Sequence, residues 1–459
     1  MPPHSYCTAA DRRRRVTAAA ATVYEPAETG FTDMRLGGRL AAAIEVLDDM
    51  QRRHRPAADA LKDWGLSHRF AGAGDRAAIG NIVYDALRRR RSACWMLDSD
   101  TPRAMAMGAL VLESGFTAES FDARLEGDRF APEPLSPAER DALATRDLHK
   151  APDAVRADLP DWCVPHFSEA FGDDWVAEAA GLAARPPLDL RANTLLATRA
   201  RVLEELGGQA AAMPIAPLGI RIPPIGGDGR HPNVQAEPAF QKGWFEVQDQ
   251  GSQLAAQLAG AEPGAQVLDF CAGAGGKTLA LSAAMDNRGQ IFAFDSEKAR
   301  LTPIFDRLKR AECRNVQVVA NPAGLAPLEG QMDMVLVDAP CTGSGTWRRR
   351  PDAKWRLSAR QLDVRIGEQA GILRDVARFV RPGGRLVYVT CSVFVEENQR
   401  QVAGFLAEHP DFQPADHGQL WAQTAPGHVQ AARTDELGIV MTPVRTGTDG
   451  FFCAILQRR

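Results

Sequence analysis

The sequence predicts an α/β protein whose C-terminal part contains a doubly wound, mostly parallel β-sheet. From about Gly264 onwards, short apolar runs alternate with helical stretches, which is typical of this architecture. A glycine-rich segment follows the first run, and Cys341 and Cys391 each follow a later one. Because ligands of parallel sheets collect at the carboxyl ends of the strands, these observations predict a nucleotide-binding cleft that contains two thiols.

The composition is that of a soluble globular protein with more than one domain. The chain has 459 residues, of which 45% are hydrophobic and 24% charged, and its formal net charge is −4. This balance argues against a wholly basic nucleic-acid coat protein but permits a local basic groove. No apolar run reaches the roughly 18 residues of a membrane span. The eight cysteines include no C-x-x-C pair and no Cys/His cluster, so we expect a cytoplasmic protein with free thiols and no metal.

The first part of the chain is predicted to be largely helical. Residues 1–33 are expected to be a disordered leader, since they lack the apolar core of a signal peptide. Residues 34–150 are predicted to form a helical domain, because apolar residues recur there at helical spacing, among them Leu40, Ile44, Leu47 and Met50. Several prolines mark a joint near residue 150. Residues 151–187 are expected to be a helical linker.

The remainder is predicted to contain a small α/β unit at residues 188–260 and the sheet-bearing domain at residues 261–459. Strands of the small unit are expected at Leu188–Thr194, Ile220–Ile225 and Trp244–Asp249, with a helix at Arg199–Leu206. Strands of the larger domain are expected at Val267–Phe270, Gln290–Phe294, Val316–Val319, Met332–Asp338, Leu386–Thr390 and Gly450–Leu456. Residues 411–448 contain no pattern that predicts a structure.

The glycine-rich segment Cys271–Thr278 lies between the first predicted strand of this domain and a helix, where backbone N–H groups can approach a ligand. A phosphate-binding P-loop would need glycine where Cys271 stands. A dinucleotide fingerprint would need glycine at Thr278, where a side chain crowds the helix against the strand. The remaining ligand class is S-adenosylmethionine. Asp295, at the end of the next strand, can accept hydrogen bonds from the hydroxyl groups of its ribose. Asp295 alone does not exclude a dinucleotide, and a tight turn without a ligand is the simpler alternative.

Two thiols beside such a loop suit methylation of a pyrimidine at C5, which is a poor nucleophile by itself. A thiolate that adds to C6 makes C5 electron-rich, and a second basic group then helps to remove the C5 proton. Cys341 and Cys391 can share these roles, and Asp338 can assist near N3. A cation such as Lys277 or Arg348 would lower the pKa of the nucleophilic thiol.

Two clusters of arginine allow both a simple and a functional interpretation. Arg88–Arg91 end a predicted helix. They are interpreted either as a solvated helix end or as a patch that faces RNA. Arg348–Arg356 follow Cys341 closely and are interpreted either as a solvated basic loop or as a loop that holds phosphates. In the second interpretation Trp347 or Trp355 stacks on a splayed base.

The chain resembles the Sun/RsmB-type family of RNA (cytosine-5) methyltransferases, and its bacterial ribosomal-RNA members in particular. The resemblance covers residues 188–459 and is carried by Gly243–Asp249, Asp269–Thr278, Asp338–Cys341, Arg349–Trp355 and Thr390–Ser392. It implies a Rossmann-like S-adenosylmethionine-dependent methyltransferase domain after a small RNA-binding α/β unit. A weaker resemblance, carried by Asp75-Arg76 and Tyr84–Arg90, implies an all-helical NusB-like RNA-binding domain at residues 34–150.

By this resemblance, the chain transfers a methyl group from S-adenosylmethionine to C5 of a cytosine in RNA, with 16S ribosomal RNA as the expected substrate. Cys391 would add to C6 and Cys341 would assist proton removal and product release, with Asp338 and Lys277 as the other catalytic residues. The implied cofactor site contains Cys271, Ala272, Gly273, Ala274, Gly275, Gly276, Lys277, Asp295, Asn321 and Asp338. The expected RNA-binding residues are Arg191, Asn193, Arg348, Arg349, Arg350 and Trp355. We expect RNA to be the partner, no contact with a membrane, and a monomeric protein.

Two departures from the family pattern support an alternative. Gly273-Ala274 stand where Ala-Pro is usual, and Asn321 stands where an acidic residue is usual, so we expect weakened but not abolished cofactor binding. These substitutions are the support for a non-catalytic RNA-binding assembly factor. A transfer-RNA or DNA cytosine methyltransferase is a second alternative, and in DNA enzymes the roles of the two cysteines would be exchanged. A nicotinamide oxidoreductase is disfavoured by Thr278.

Overall fold

The computed structural model describes residues 34–227 and 229–459; the predicted leader, residues 1–33, lies outside the described residues. The N-terminal region is helical, as predicted, with buried apolar faces that include Leu40 and Val83. Side-chain caps begin several helices: the Thr101 hydroxyl accepts a hydrogen bond from the backbone N–H of Ala104. The helices are α1 (Leu36–Arg53), α2 (Ala57–Ser67), α3 (Ala73–Arg88), α4 (Arg90–Leu97), α5 (Pro102–Ser114), α6 (Ala118–Leu125) and α7 (Pro137–Thr145). The NusB-like relationship of this region stays a prediction.

The arginine cluster Arg88–Arg91 does not end a single helix. Helix α3 ends at Arg88 and α4 begins at Arg90, because Arg89 leaves the helical conformation with φ −102° and ψ 23°. Each arginine contacts another part of the fold. The partners are the carbonyl of Arg348 for Arg88, Glu113 for Arg89, the ring of Trp355 for Arg90, and the carbonyl of Leu159 for Arg91. The cluster therefore joins α3 and α4 to other helices and loops of the fold, which neither interpretation from the sequence anticipated.

The next elements form a short helical stretch and a four-stranded antiparallel sheet in the order β2-β3-β1-β4. The predicted strand Ile220–Ile225 is shorter than expected, since Pro223 and Pro224 supply no N–H group and end it at Ile222. The elements are α8 (Asp153–Arg156), α9 (Val164–Phe171), α10 (Trp175–Gly181), β1 (Leu188–Ala192), α11 (Arg199–Leu206), β2 (Ala211–Ala212), β3 (Gly219–Ile222), α12 (Pro238–Gln241) and β4 (Phe245–Val247).

The third region contains the doubly wound sheet that the sequence predicted. Its first half alternates strands and helices: α13 (Gln250–Ala259), β5 (Gln266–Asp269), α14 (Gly276–Ala284), β6 (Gln290–Phe294), α15 (Lys298–Leu301), α16 (Ile304–Arg310), β7 (Val316–Val319) and β8 (Met332–Asp338). Its second half contains α17 (Pro351–Arg356), α18 (Ala359–Ala377), β9 (Val380–Thr390), α19 (Gln399–Glu408), β10 (Phe412–Pro414), α20 (His417–Thr424), β11 (Arg433–Thr434), β12 (Ile439–Met441) and β13 (Phe451–Arg458).

The strand order is β11-β12-β13-β9-β8-β5-β6-β7, and β10 pairs with β13. Strands β9, β8, β5, β6 and β7 are parallel, whereas β13 is antiparallel to β9. The chain leaves β5 towards β6 and later returns to β8 on the other side of β5. This reversal creates a crevice at the carboxyl ends of β5 and β8, where doubly wound proteins bind ligands. Residues 411–448, for which the sequence predicted nothing, contribute β10–β12 and α20 at one edge.

Alternate residues of the central strands face the two helical layers. Val335 and Val337 belong to the apolar cluster that contains residues of α9, α18 and α19. Met334 and Leu336 belong to the cluster that contains residues of α13, α14 and α20. Burial on both faces explains why β8 is an almost continuous apolar run, which made it visible in the sequence.

Helix α17 joins the sheet domain to the N-terminal helices. The indole N–H of Trp355 donates to the carbonyl of Leu87 at 2.6 Å, and the ammonium of Lys354 lies 3.4 Å from the carbonyl of Arg88. Residues 34–459 form one compact unit, and the boundaries predicted at residues 150, 187 and 260 remain predictions. Among the described residues, no helix combines the length and the hydropathy needed to cross a membrane.

Candidate active site at the carboxyl ends of the parallel strands

Cys341 and Cys391 contact each other, with their Sγ atoms 3.4 Å apart. Their strands are neighbours, and Asp338 of β8 is in register with Val389 of β9. The hydrogen bond to Cys391, followed by burial, raises the pKa of Cys341 well above its ordinary value. Cys341 therefore keeps its proton at neutral pH and can donate a hydrogen bond to the sulfur of Cys391.

Lys277 and Asp338 form an ion pair next to the thiols. Lys277 is the second residue of α14 and is buried, and its Nζ lies 2.7 Å from an Asp338 carboxylate oxygen. Burial alone would lower the pKa of Lys277, but the carboxylate of Asp338 and the charge of Cys391 together raise it. Lys277 is therefore a cation whose charge lies near Cys391; its role in activating that thiol stays a prediction.

The segment Cys271–Lys277 forms the turn between β5 and α14. Gly275 has φ +83°, and a Cβ atom there would lie 2.5 Å from Cγ1 of Ile304, so no larger residue fits. The backbone N–H of Gly273 donates to the Asp295 carboxylate at 3.0 Å. The structure thus brings Asp295 to the glycine-rich turn. Asn321 lies at the end of β7, is exposed, and caps the next turn by accepting from Ala323 N at 3.1 Å.

Asp269, the last residue of β5, was not among the predicted site residues. Its Oδ2 accepts a hydrogen bond from the Thr278 hydroxyl at 2.6 Å, and its buried Oδ1 has no hydrogen-bond partner among the described residues. Burial, with the nearby Asp338 and Asp295, raises the pKa of Asp269 to about 7 against the effect of the Thr278 hydrogen bond. A buried carboxylate oxygen without a partner is a suitable contact for a cationic ligand group. Its position directly before the glycine-rich turn was the signal in the sequence.

The small α/β sheet supports this turn through two contacts that the sequence did not reveal. The Gln248 amide lies 3.3 Å from the Gly276 carbonyl. Arg307 donates to the Ala274 carbonyl at 2.7 Å and also pairs with Glu246 at 2.9 Å. Glu246 belongs to β4 and Gln248 follows it, so this strand holds the turn in place.

Two predicted RNA-binding residues, Arg191 and Asn193, are 3% and 2% exposed. Arg191 donates to the Gln248 side chain at 2.6 Å. The Asn193 amide donates to the carbonyls of Gly243 and Ala311 at 3.0 and 2.9 Å. These internal contacts favour a structural role for both residues over the predicted contact with RNA.

The basic loop is also largely folded inwards. Arg348 is buried and pairs with Asp449 and, at 3.6 Å, with Asp249. Arg349 pairs with the same two carboxylates at 2.5 and 2.9 Å. Trp347 lies in the core, and Trp355 is engaged with the N-terminal helices. Arg350 is the exposed member of the predicted set, and the RNA-binding roles of all of these residues stay predictions.

Comparison with known proteins agrees with this architecture. Residues 256–457 match the model of the 16S rRNA methyltransferase RsmB/F family, and residues 159–223 match its ferredoxin-like domain. A probable ribosomal RNA small subunit methyltransferase B of Synechocystis sp. is 32% identical over 312 residues, which are 65% of this chain and 67% of the relative.

Solved structures resemble the chain over a longer range. The crystal structure of PH0851 covers 93% of this chain and 100% of its own, with a TM-score of 0.67 and 25% identity. A methyltransferase homologue from Pyrococcus horikoshii covers 67% of this chain and 98% of its own, with a TM-score of 0.55 and 25% identity. The sheet order and the two thiols are consistent with these matches. The chain belongs to the RsmB/F family of 16S rRNA methyltransferases.

Proposed function

We propose that the chain methylates C5 of a cytosine in 16S ribosomal RNA, with S-adenosylmethionine as the methyl donor. The observation that carries this proposal is the contact between Cys341 and Cys391 beside the Lys277–Asp338 pair. Two thiols, one cation and one carboxylate at a single edge of the sheet match the needs of C5 methylation. The names of the relatives support ribosomal RNA as the substrate.

S-adenosylmethionine is the cofactor, and its sulfonium supplies an electrophilic methyl group. The residues present fit it: Asp269 offers a buried oxygen without a partner to a cationic group, and the carboxylate of Asp295 lies at the glycine-rich turn. Gly273 and Gly275 allow the backbone to approach the ligand closely. The proposed cofactor site is therefore the turn between β5 and α14 together with Asp269 and Asp295.

In the proposed reaction the Cys391 thiolate forms a bond to C6 of cytosine, and the electron pair moves towards C5 and N3. The Lys277–Asp338 pair is the source of the proton that neutralises N3. Once Cys391 is bound to carbon it has no charge, so the largest cause of the raised pKa of Cys341 is weakened and Cys341 can release its proton to solvent. When C5 has taken the methyl group, the Cys341 thiolate accepts the C5 proton. The Cys391–C6 bond then breaks with its electron pair on sulfur, and N3 returns its proton to the Lys277–Asp338 pair, which restores all four side chains to their starting forms.

An assay of methyl transfer tests the proposal. Labelled S-adenosylmethionine with unmethylated small-subunit ribosomal RNA should give label at C5 of a cytosine. Transfer RNA and DNA serve as parallel substrates, and label in either of them but not in ribosomal RNA would contradict the substrate assignment. RNA binding without transfer to any substrate would favour the assembly-factor alternative. The proposed enzyme is a cytoplasmic monomer with RNA as its partner.

Cofactor affinity is expected to fall by about tenfold as the pH is lowered from about 7.5 to about 6. Asp269, whose pKa is about 7, must lose its proton to contact a cationic group, and the protonated form dominates below pH 7. In Asp269→Asn the affinity should be low at both pH values. Calorimetric titration with S-adenosylmethionine measures this, and Asp333→Asn, at the other end of the sheet beside Gln266, should behave as wild type. Equal wild-type affinities at the two pH values would contradict the role of Asp269.

A further inference from the structure

Glu397 lies between the two cysteine-bearing segments and binds both of them. Its side chain is fully buried, at the end of the short turn Val395–Glu397. One carboxylate oxygen accepts the backbone N–H of Thr342 at 2.8 Å. The other accepts the Thr342 hydroxyl at 2.5 Å and the Ser392 hydroxyl at a short distance. Thr342 directly follows Cys341 and Ser392 directly follows Cys391, so one side chain connects the residues next to both thiols.

Gln369 extends this connection to the other side of Cys341. Its amide nitrogen donates to the Pro340 carbonyl at 2.9 Å and to the Glu397 carboxylate at 3.0 Å. The residues before and after Cys341 are thus both held, one by Gln369 and the other by Glu397. Gln369 is itself fully buried on α18, which makes it a rigid support.

Burying a carboxylate is costly unless its oxygens are well hydrogen-bonded. Within the described part of the chain, the donors that reach Glu397 are hydroxyl and amide groups, namely those of Thr342, Ser392 and Gln369. Because Thr342 and Ser392 supply donors from the two cysteine segments, the buried side chain of Glu397 is fully hydrogen-bonded only when both segments are in place. The arrangement links the position of one segment to that of the other.

We propose that Glu397 is a positioning residue that holds Cys341 and Cys391 in contact. This inference rests on the proposed function, since the contact matters for a reaction that uses both thiols in turn. A displacement of reacting groups by about 1 Å can reduce a rate by about a hundredfold. Glu397 is hydrogen-bonded to Thr342 and Ser392, so it positions the thiols through these neighbours. Its charge also raises the pKa of Cys341, and Thr342→Val separates the two effects because it keeps that charge.

The test is Glu397→Gln, which keeps the shape but replaces an acceptor oxygen with an NH₂ group. One readout does not depend on methyl transfer: diamide, a two-electron thiol oxidant, takes two electrons and two protons as the Cys341–Cys391 disulfide forms. Peptide mapping follows the rate of this closure. We expect closure about tenfold slower than in wild type, and kcat for methyl transfer lowered about ten- to hundredfold, with KM for S-adenosylmethionine within about twofold.

Two further variants complete the experiment. Glu396→Gln is the matched control, because Glu396 pairs with His166 at 2.7 Å and not with the cysteine segments, so both rates should equal those of wild type. Thr342→Val removes one hydroxyl contact and keeps the carboxylate, which tests the idea even if Glu397→Gln fails to fold. Closure at the wild-type rate in the folded variants would overturn the proposal. Slow closure in a protein whose wild type transfers no methyl group would uphold the positioning role and refute the proposed function.

Discussion

Replacement of Cys391 with alanine is expected to reduce methyl transfer to cytosine by at least about 10⁴-fold, the scale of losing a catalytic nucleophile. Without this thiol nothing adds to C6, and C5 stays too weak a nucleophile to take the methyl group. The cofactor should still bind, since the glycine-rich turn and Asp269 are unchanged. Initial rates with labelled S-adenosylmethionine and ribosomal RNA measure the loss, and titration of the cofactor measures its affinity.

The matched control is Cys313→Ala, which removes a partly buried thiol between α16 and β7. Its transfer rate should stay close to that of wild type. If Cys391→Ala retained a covalent adduct with RNA while Cys341→Ala lost it, the two roles would be exchanged, as in the DNA-type alternative. Full activity in Cys391→Ala would refute covalent catalysis by this residue.

Replacement of Cys341 with alanine is expected to trap the enzyme on its RNA. Cys391 can still add to C6 and C5 can still take the methyl group, but the group in contact with Cys391 that accepts the C5 proton is absent. Turnover should fall by about 10²- to 10⁴-fold, the usual contribution of a positioned general base. A protein–RNA adduct that survives denaturing electrophoresis measures the trapping.

The double variant Cys341→Ala/Cys391→Ala provides the control for this experiment. It should form no adduct, since it lacks the thiol that adds to C6. Rapid turnover by Cys341→Ala with no accumulated adduct would show that another group accepts the proton, and the assignment of Cys341 would then be wrong.

The two arginine clusters show which contacts the sequence alone did not reveal. Arg348 and Arg349 have the charge expected of a phosphate-binding loop, but they pair with Asp249 and Asp449, which lie about a hundred residues away in either direction. Arg88 similarly binds the carbonyl of Arg348. The charge of a short sequence segment does not reveal a distant residue that neutralises it. The burial of these arginines therefore could not be predicted from the neighbouring sequence.

Asp269 and Glu397 illustrate the same limit for carboxylates. The sequence places Asp269 at the end of a strand, but its raised pKa results from burial and from Asp338 and Asp295 nearby. Glu397 follows Cys391 by six residues, yet the role proposed for it depends on its hydrogen bonds to Thr342, which follows a different strand. Both properties arise only when separate segments pack together.

The sequence by itself determined the class of the sheet, the glycine-rich turn, and the delivery of two thiols to strand ends. These features are local: an apolar run specifies a buried strand, and glycines specify a turn with positive φ. The tertiary structure decided that the thiols lie 3.4 Å apart and that Lys277 pairs with Asp338. It also gave intramolecular partners to most of the residues predicted to bind RNA. Those outcomes depend on strand order and burial, because a charge or a thiol acquires its chemistry from neighbours that the chain brings together only on folding.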